Sequence, residues 1–169
     1  MTLSKGAKVA VLVANGFNEN HFISLQKIMI ETGCQVKIIS MNQGLVNGWN
    51  EEDNSWGHNY AVDTQLNGAL GVDYDGLIIP GGQRSLDKLK MTAHTRRFVT
   101  SFMNMKKPVC VMGDAYDVMV HTQMADSHPI ANDDKPAQMV DMVVSGKCDD
   151  EFYGMMMALF SEDNMNQAA

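Results

Sequence analysis

The stretch PVCVMGDAYDVMV, residues 108–120, places a glycine where an apolar strand meets a helix. The run from Pro108 to Met112 is continuously apolar, which predicts a strand covered on both faces of a sheet. A short helix is predicted to follow from Asp114. Sharp strand-to-helix turns of this kind carry the nucleophile in many α/β enzymes. Here the turning residue is Gly113, which has no side chain to attack a substrate, so the stretch indicates an active-site scaffold without its nucleophile.

The first part of the chain predicts a parallel crossover unit. KVAVLVA (8–14) reads as a buried strand, HFISLQKIMIETG (21–33) as a helix with one apolar face that ends at Gly33, and CQVKIISM (34–41) as a second strand. Strand, helix and strand within this length are typical of a βαβ unit. A polar excursion follows, in which VNGW (46–49) is predicted to be a hairpin turn and YAVDTQL (60–66) a short strand.

The rest of the chain continues the alternation. Further strands are predicted within 73–82 and 137–146, a helical segment in two pieces over 85–107, and a last helix over 149–160. Alternating helices and apolar strands favour an α/β fold with a mainly parallel sheet and helices on both faces. We expect a single domain over residues 1–169, with an ordered core of about 7–160.

Composition narrows the classes of partner. The chain has 169 residues and a formal net charge of -7, so a nucleic-acid partner is not expected, because no basic patch is present to neutralise phosphates. The N-terminus lacks the apolar run of a signal peptide, and no stretch approaches the roughly 20 apolar residues of a membrane helix. Three widely spaced cysteines fit a reducing, cytoplasmic location and form no zinc pattern, so neither a metal nor a cofactor is predicted.

Three loops are predicted to meet at one edge of the sheet. Ligands of parallel α/β sheets bind at the carboxyl ends of the strands. NGFNENH (15–21), PGGQRS (80–85) and GDAYD (113–117) each follow a predicted strand and therefore lie at this edge.

These loops resemble the ThiJ/PfpI superfamily, relatives of the class I glutamine amidotransferases. The resemblance rests on VLVANGFNENHF, DGLIIPGG and the strand–turn–helix at 108–120, and it extends in order from about residue 7 to 160. It implies a flavodoxin-like three-layer sandwich. Active members place a cysteine at the strand-to-helix elbow and a glutamate from the first loop beside it.

Both of these functional groups are absent from the matching positions. The elbow cysteine falls on Gly113 and the loop glutamate on His21, with Glu19 two residues earlier. Cys110 cannot replace the elbow thiol, because it lies three residues back along a strand, about 10 Å away at normal strand rise. We predict that Cys110 is an inert, buried thiol.

The amino-acid sequence at the elbow is more similar to one branch of the superfamily. KPVCVMGDAYDVM resembles the C-terminal domain of large-subunit catalases, in which a GDA turn also replaces the cysteine elbow. The role suggested for that domain is structural or chaperone-like. The resemblance therefore implies a catalytically inactive binding, assembly or stress-related module, which forms a homodimer or a higher homo-oligomer and could also bind another protein.

An enzyme of a different mechanism is the alternative. Asp114, His21 and Glu19 could form a carboxylate–histidine pocket for hydrolase or lyase chemistry, with Asp117 or His128 nearby. Against this, Asp114 is predicted to cap its own helix, and each histidine fits an ordinary structural role.

Other residues of the three loops are candidates for ligand binding. Gly81 and Gly82 would present backbone amides, either to an oxyanion or within a tight turn that needs glycine. Arg84 could neutralise an anion, although a solvated helix start is favoured. Cys148 is predicted to be exposed in a polar turn. Two tryptophans, Trp49 and Trp56, flank an acidic loop and would mark an interface if they are exposed.

Overall fold

A computed structural model of the protein describes residues 6–161, whose strands form one seven-stranded and one three-stranded sheet. The strands are β1 (Lys8–Leu12), β2 (Phe17–Asn18), β3 (Gln35–Ser40), β4 (Leu45–Asn50), β5 (Ser55–Ala61), β6 (Thr64–Gln65), β7 (Gly76–Ile79), β8 (Val109–Met112), β9 (Gln138–Val140) and β10 (Val143–Gly146). The helices are α1 (Glu19–Thr32), α2 (Gln83–Leu89), α3 (Ala93–Asn104), α4 (Tyr116–His121), α5 (Met124–Ser127) and α6 (Asp150–Leu159).

The large sheet has the order β6-β3-β1-β7-β8-β10-β9 and is parallel except for β9, which runs antiparallel to β10. Its central strands are buried along nearly their whole length, as the apolar runs predict. The predicted α/β class, with a mainly parallel sheet between helices, is confirmed.

Alternate residues of the central strands supply two separate cores. In β1, Val9 and Val11 face a cluster that contains the apolar face of α1 and the buried side of α6. Ala10 and Leu12 face the opposite cluster, which contains α3 and α4. This division follows from the two-residue period of a strand, and it places one helical layer on each face of the sheet.

Helix α1 begins beside the first loop for clear local reasons. The Asn18 side chain caps the helix by accepting a hydrogen bond from the His21 amide at 3.1 Å. Gly33 ends the helix with φ 78°, a left-handed conformation that favours glycine. The predicted apolar face is confirmed, since Phe22, Leu25 and Met29 are all buried.

The predicted hairpin turn at residues 46–49 is wrong. These residues lie inside β4, and the turn occupies residues 51–54. The pairing of β4 with β5 shifts register between Asn47 and Trp49, so the Asn-Gly pair belongs to a bulge rather than a turn. A Cβ on Gly48 would lie 3.1 Å from the Cβ of Glu19, which shows how closely the strand passes over that buried side chain.

Two other segments differ from their predictions. Residues 60–66 do not form one strand, because Tyr60 and Ala61 end β5 of the small sheet while Thr64 and Gln65 form β6 of the large sheet. Residues 137–146 hold two strands, β9 and β10, joined by a two-residue turn. The two-piece helical segment, by contrast, is confirmed as α2 and α3. Within residues 6–161, no helix has the length and apolar character needed to cross a bilayer.

Candidate functional site

The elbow after β8 has room for a side chain that the sequence does not provide. Gly113 has φ +55° and is buried directly after the strand. A Cβ placed there would lie 3.4 Å from Cε1 of His21, and 4.0 Å from both the Asp133 Cβ and the Cys148 Sγ. These are ordinary contact distances. The positive φ favours glycine at this position, but the surrounding atoms leave space for a side chain.

The neighbouring turn after β7 contains a glycine that packing does require. Gly82 has φ +115°, and a Cβ there would lie 2.6 Å from the Asn18 nitrogen and 2.7 Å from the Gly16 carbonyl oxygen. The Asn18 amide also donates a hydrogen bond to the Gly81 carbonyl at 2.8 Å. Because the contacting atoms are backbone atoms, no side chain fits at Gly82 without moving the first loop.

His21 bridges the first loop and this glycine turn. Its Nδ1 accepts a hydrogen bond from the Gly81 amide at 3.0 Å. Burial lowers the pKa of His21 to about 4. The imidazole is therefore neutral at pH 7 and, because Nδ1 is an acceptor, it carries its proton on Nε2.

Asp114 holds the next amide of the same turn. Its Oδ1 accepts a hydrogen bond from the Gly82 amide at 3.1 Å. Burial raises the pKa of Asp114, the bond from Gly82 opposes that shift, and the nearby charges of Asp133 and Glu51 add to it. The prediction that this side chain caps its own helix is wrong, because the first residue before α4 is Ala115 and the carboxylate reaches across to the neighbouring turn.

Two consecutive backbone amides at the sheet edge thus have internal partners. Amides placed in this way can stabilise an oxyanion during acyl transfer. Here the Gly81 amide is bonded to His21 and the Gly82 amide to Asp114. A substrate oxygen would have to displace both side chains to use them.

Glu19 lies apart from this arrangement, under the β4–β5 hairpin. It is 4% exposed, and its Oε2 accepts hydrogen bonds from the Tyr60 hydroxyl at 2.7 Å, the His58 amide at 2.9 Å and His58 Nδ1 at 3.0 Å. Burial alone would raise the pKa of Glu19, but these donors outweigh it and lower the pKa. The predicted pocket of Asp114, His21 and Glu19 is not assembled, because residues two apart on a helix point in different directions.

Arg84 is exposed in the first turn of α2, and its guanidinium stacks on an aromatic ring. Its guanidinium carbon lies 3.7 Å from the centroid of the Trp49 ring. Trp49 is buried and packs edge-to-face against Trp56, whose exposed fraction is 52%. The solvated helix start that was predicted for Arg84 is confirmed, whereas anion binding by Arg84 stays a prediction. Of the two tryptophans, only Trp56 presents an apolar surface.

The cysteines occupy different environments. Cys110 is fully buried, which confirms its prediction as a packing thiol, and burial raises its pKa. Cys148 is half-buried beside the elbow, so the prediction of an exposed thiol is wrong. Burial raises the pKa of Cys148 to about 12, although a hydrogen bond from the Gly113 backbone opposes the shift. Sequence spacing did not reveal this position, which arises because β10 pairs with β8 and the chain leaving β10 passes the elbow.

The other two side chains named for the pocket also lie elsewhere. His128 lines a cavity together with Val143, the first residue of β10, at the end of the sheet opposite the elbow. Asp117 is paired with Lys90. Among residues 6–161, no group of three or more histidine, cysteine or acidic side chains is arranged to hold a metal ion.

Taken together, the parallel sheet, the tight elbow after β8 and the three loops at its carboxyl edge define a flavodoxin-like α/β protein of the ThiJ/PfpI type. The DJ-1/PfpI family model matches residues 7–144, and the chain belongs to this family.

Curated relatives and solved structures agree with this assignment. The chain is 29% identical over 117 residues to "Putative cysteine protease YraA" of Bacillus subtilis, and 26% identical over 121 residues to General stress protein 18 of the same organism. These matches cover 69% and 72% of this chain, and 66% and 67% of the relatives, so the chain spans about two thirds of their length. The VC2308 protein has a similar fold with TM-score 0.78 at 15% identity, covering 96% of this chain and 91% of the other. Toxoplasma gondii DJ-1 has TM-score 0.74 at 16% identity, covering 97% and 96%.

Proposed function

We propose that this chain is a catalytically inactive member of its family that acts as a binding and assembly module. The observation that carries the proposal is the elbow, where Gly113 supplies no nucleophile and the adjacent amides are bonded to His21 and Asp114. Thiol chemistry needs a thiolate at this point. Cys148 is the nearest described thiol, and with a pKa of about 12 it is protonated at neutral pH.

Hydrolysis of p-nitrophenyl acetate tests the absence of catalysis. The wild-type protein should release nitrophenol no faster than the Asp114→Asn and His21→Gln variants. Gly113→Cys serves as the matched control, because the elbow has space for its side chain, and it should show a burst equal to one acetyl group per chain. A wild-type rate that falls in the Asp114→Asn and His21→Gln variants would establish the alternative, an enzyme that uses these two groups.

Self-association is the second part of the proposal, and it is supported by the hairpin of the small sheet. Strand β5 pairs only with β4 among the described strands, and most of its residues are exposed. The strand also includes Trp56, whose ring is half exposed. An exposed edge strand of seven residues with an aromatic side chain is a template for pairing with a second copy.

Light scattering after size exclusion tests this assembly. The wild-type chain should have at least twice the mass of the 18.7 kDa protomer, and Trp56→Arg should shift it towards the protomer. Met91→Arg is the matched control, since Met91 is 81% exposed outside the hairpin and its replacement should leave the mass unchanged. A wild-type chain that elutes as a protomer at micromolar concentration would overturn the assembly proposal.

A chaperone-like, stress-related role is the third part. It is supported by the resemblance of the Gly113–Asp114–Ala115 elbow to the catalase C-terminal domain, and by the similarity to a protein named as a general stress protein. Turbidity of a heat-aggregating client enzyme tests this role. The chain should suppress aggregation at a stoichiometric ratio, whereas an equal mass of serum albumin should suppress it less. Equal turbidity with both proteins would remove the chaperone role and leave binding and assembly.

A further inference from the structure

A cavity of about 450 Å³ lies at the amino edge of the large sheet, at the end opposite the elbow. It opens between the end of α3 and the turn that joins β9 to β10. Its walls are formed by three apolar and four ionisable side chains: Met103, Lys106, Lys107, His128, Asp141, Met142 and Val143. A volume of this size is within the range of pockets that bind small molecules.

The wall of this cavity carries two ammonium groups, Lys106 and Lys107, in a chain whose net charge is -7. Asp141 is the one carboxylate among the lining residues, and Asp75 and Asp73 act on the charge of Lys107 from outside the lining. The Lys107 ammonium donates to the Gly71 carbonyl at 3.0 Å and to the Tyr74 carbonyl at 2.6 Å. These two bonds hold the ammonium in place and leave its third N–H for a ligand.

His128 adds a second oriented polar group. Its Nδ1 lies 3.1 Å from the Met124 carbonyl oxygen and 3.0 Å from the Ser127 hydroxyl oxygen, and in the tautomer with a proton on Nδ1 it donates to the carbonyl. The ring is thereby held with Nε2 as the nitrogen that remains for a ligand.

Three residues that line the cavity have left-handed backbone conformations. Lys106, Asp141 and Met142 have φ values of 55°, 52° and 68°, in the left-handed region that favours glycine. They are three of the five non-glycine residues with positive φ in the described part of the chain, and all three line this one cavity. Local turns account for these conformations. Lys106 follows the end of α3, and Asp141 and Met142 form the two-residue turn of the β9–β10 hairpin, a turn that takes positive φ at both residues.

We propose that this cavity binds a small aliphatic carboxylate. The carboxylate contacts Lys106 and the remaining N–H of Lys107, with His128 beside it. The aliphatic part lies against the apolar wall that Met103, Met142 and Val143 provide. The mixture of ammonium groups and apolar surface favours a singly charged ligand with a hydrocarbon body over a bare, highly charged anion.

Titration of ¹⁵N-labelled protein with hexanoate tests the site. Hexanoate should shift the amide signals of Lys106, Asp141 and Met142 saturably with a Kd of about 1 mM, as expected for a ligand of this size. Hexylamine, which has the same chain with the opposite charge, should leave these signals unshifted. If hexanoate causes no saturable shift at tens of millimolar, or if hexylamine binds equally well, the proposal is overturned. Inorganic phosphate that binds there in place of hexanoate would also overturn it.

Single substitutions test whether the Lys106 ammonium contributes to hexanoate binding. Lys106→Asn removes the ammonium but keeps a residue that tolerates left-handed backbone, and it should weaken hexanoate binding roughly two- to fivefold. Lys147→Gln, in the loop after β10, is the matched control and should leave the affinity unchanged. Equal affinities in Lys106→Asn and the wild-type protein would overturn the assignment. Neither result depends on the elbow, so the two proposals fail separately.

Discussion

Two glycine turns meet at the carboxyl edge of the large sheet, one after β7 and one after β8. At Gly82 the surrounding backbone leaves no room for a Cβ, whereas at Gly113 a Cβ would have ordinary contacts. The first glycine is therefore required by packing of the first loop. The second stands at a position that can accommodate a side chain. Packing excludes a side chain at Gly82, whereas at Gly113 only the backbone conformation favours glycine.

The largest expected effect is at the first turn. Gly82→Ala would force a Cβ to within 2.6 Å of the Asn18 nitrogen in a backbone conformation that is nearly exclusive to glycine. We expect a loss of about 4 kcal/mol or more in the free energy of unfolding, measured by urea denaturation. Gly68→Ala is the control, since a Cβ there meets nothing within 4 Å. A near-neutral Gly82→Ala would show that the first loop moves to accept a side chain at this turn.

The pH dependence of the free energy of unfolding tests whether His21 is held neutral against the same turn. His21 is neutral in the folded protein because its pKa falls to about 4, while the unfolded chain titrates near 6.5. The unfolded state therefore binds the proton first as the pH falls, and the free energy of unfolding decreases between about pH 6.5 and 4.

The variant His21→Gln keeps an acceptor for the Gly81 amide but does not titrate. Between pH 7 and pH 4.5, we expect the free energy of unfolding of the variant to fall by about 2 to 3 kcal/mol less than that of the wild-type protein. His94→Gln, at an exposed position, should follow the wild-type curve. If both variants follow that curve, His21 is protonated as readily in the folded protein as in the unfolded chain.

A smaller effect is expected at the second turn. Gly113→Ala keeps all contacts at 3.4 Å or beyond, so its cost comes only from the left-handed backbone at φ +55°. We expect a loss of about 1 to 2 kcal/mol in the free energy of unfolding, well below that of Gly82→Ala. Both variants should be measured in the same urea series, so that the cost of the steric clash at Gly82 can be separated from the cost of the left-handed backbone. Equal losses would show that the elbow is as tightly packed as the first turn.

The smallest expected effect is at the carboxylate that joins the two turns. The pKa of Asp114 is raised by burial, so its contribution to stability is present below its unfolded pKa and is lost as the pH rises through the folded value. Asp114→Asn keeps an oxygen to accept from the Gly82 amide. At pH 7, we expect the free energy of unfolding of the variant to exceed that of the wild-type protein by less than about 1 kcal/mol. The two free energies should converge as the pH falls towards 4. A loss at pH 7 would show that the charge itself holds the turn.

The fold was predictable from local patterns, whereas the site was predictable only in part. The apolar runs of β1, β7 and β8 and the one apolar face of α1 indicated the sheet and its layers, because burial on two faces demands continuous apolar sequence. The resemblance placed His21 and Gly113 near each other, and the structure brings them into contact distance.

The differences between the predicted and the observed structure come from contacts with distant parts of the chain. Glu19 turns to the hairpin because Tyr60 and His58 lie there to donate to it. The Asn47–Gly48 pair forms a bulge instead of a turn, and Gly48 passes close over the side chain of Glu19. No local pattern carries this information, since the partners are about 40 residues apart in the sequence.

Apolar periodicity and residue identity are local properties, so the sequence was enough to indicate the main buried strands, the helices α1, α2, α3 and α6, and the glycine at the elbow. Only the tertiary structure decided what the remaining polar groups do. It bonded His21 and Asp114 to consecutive amides of the turn at Gly81 and Gly82, brought Cys148 beside Gly113, and moved His128 to a cavity at the opposite edge. The physical reason is that a buried polar group takes the partners that strand pairing brings within reach, and strand pairing joins residues that are remote in sequence.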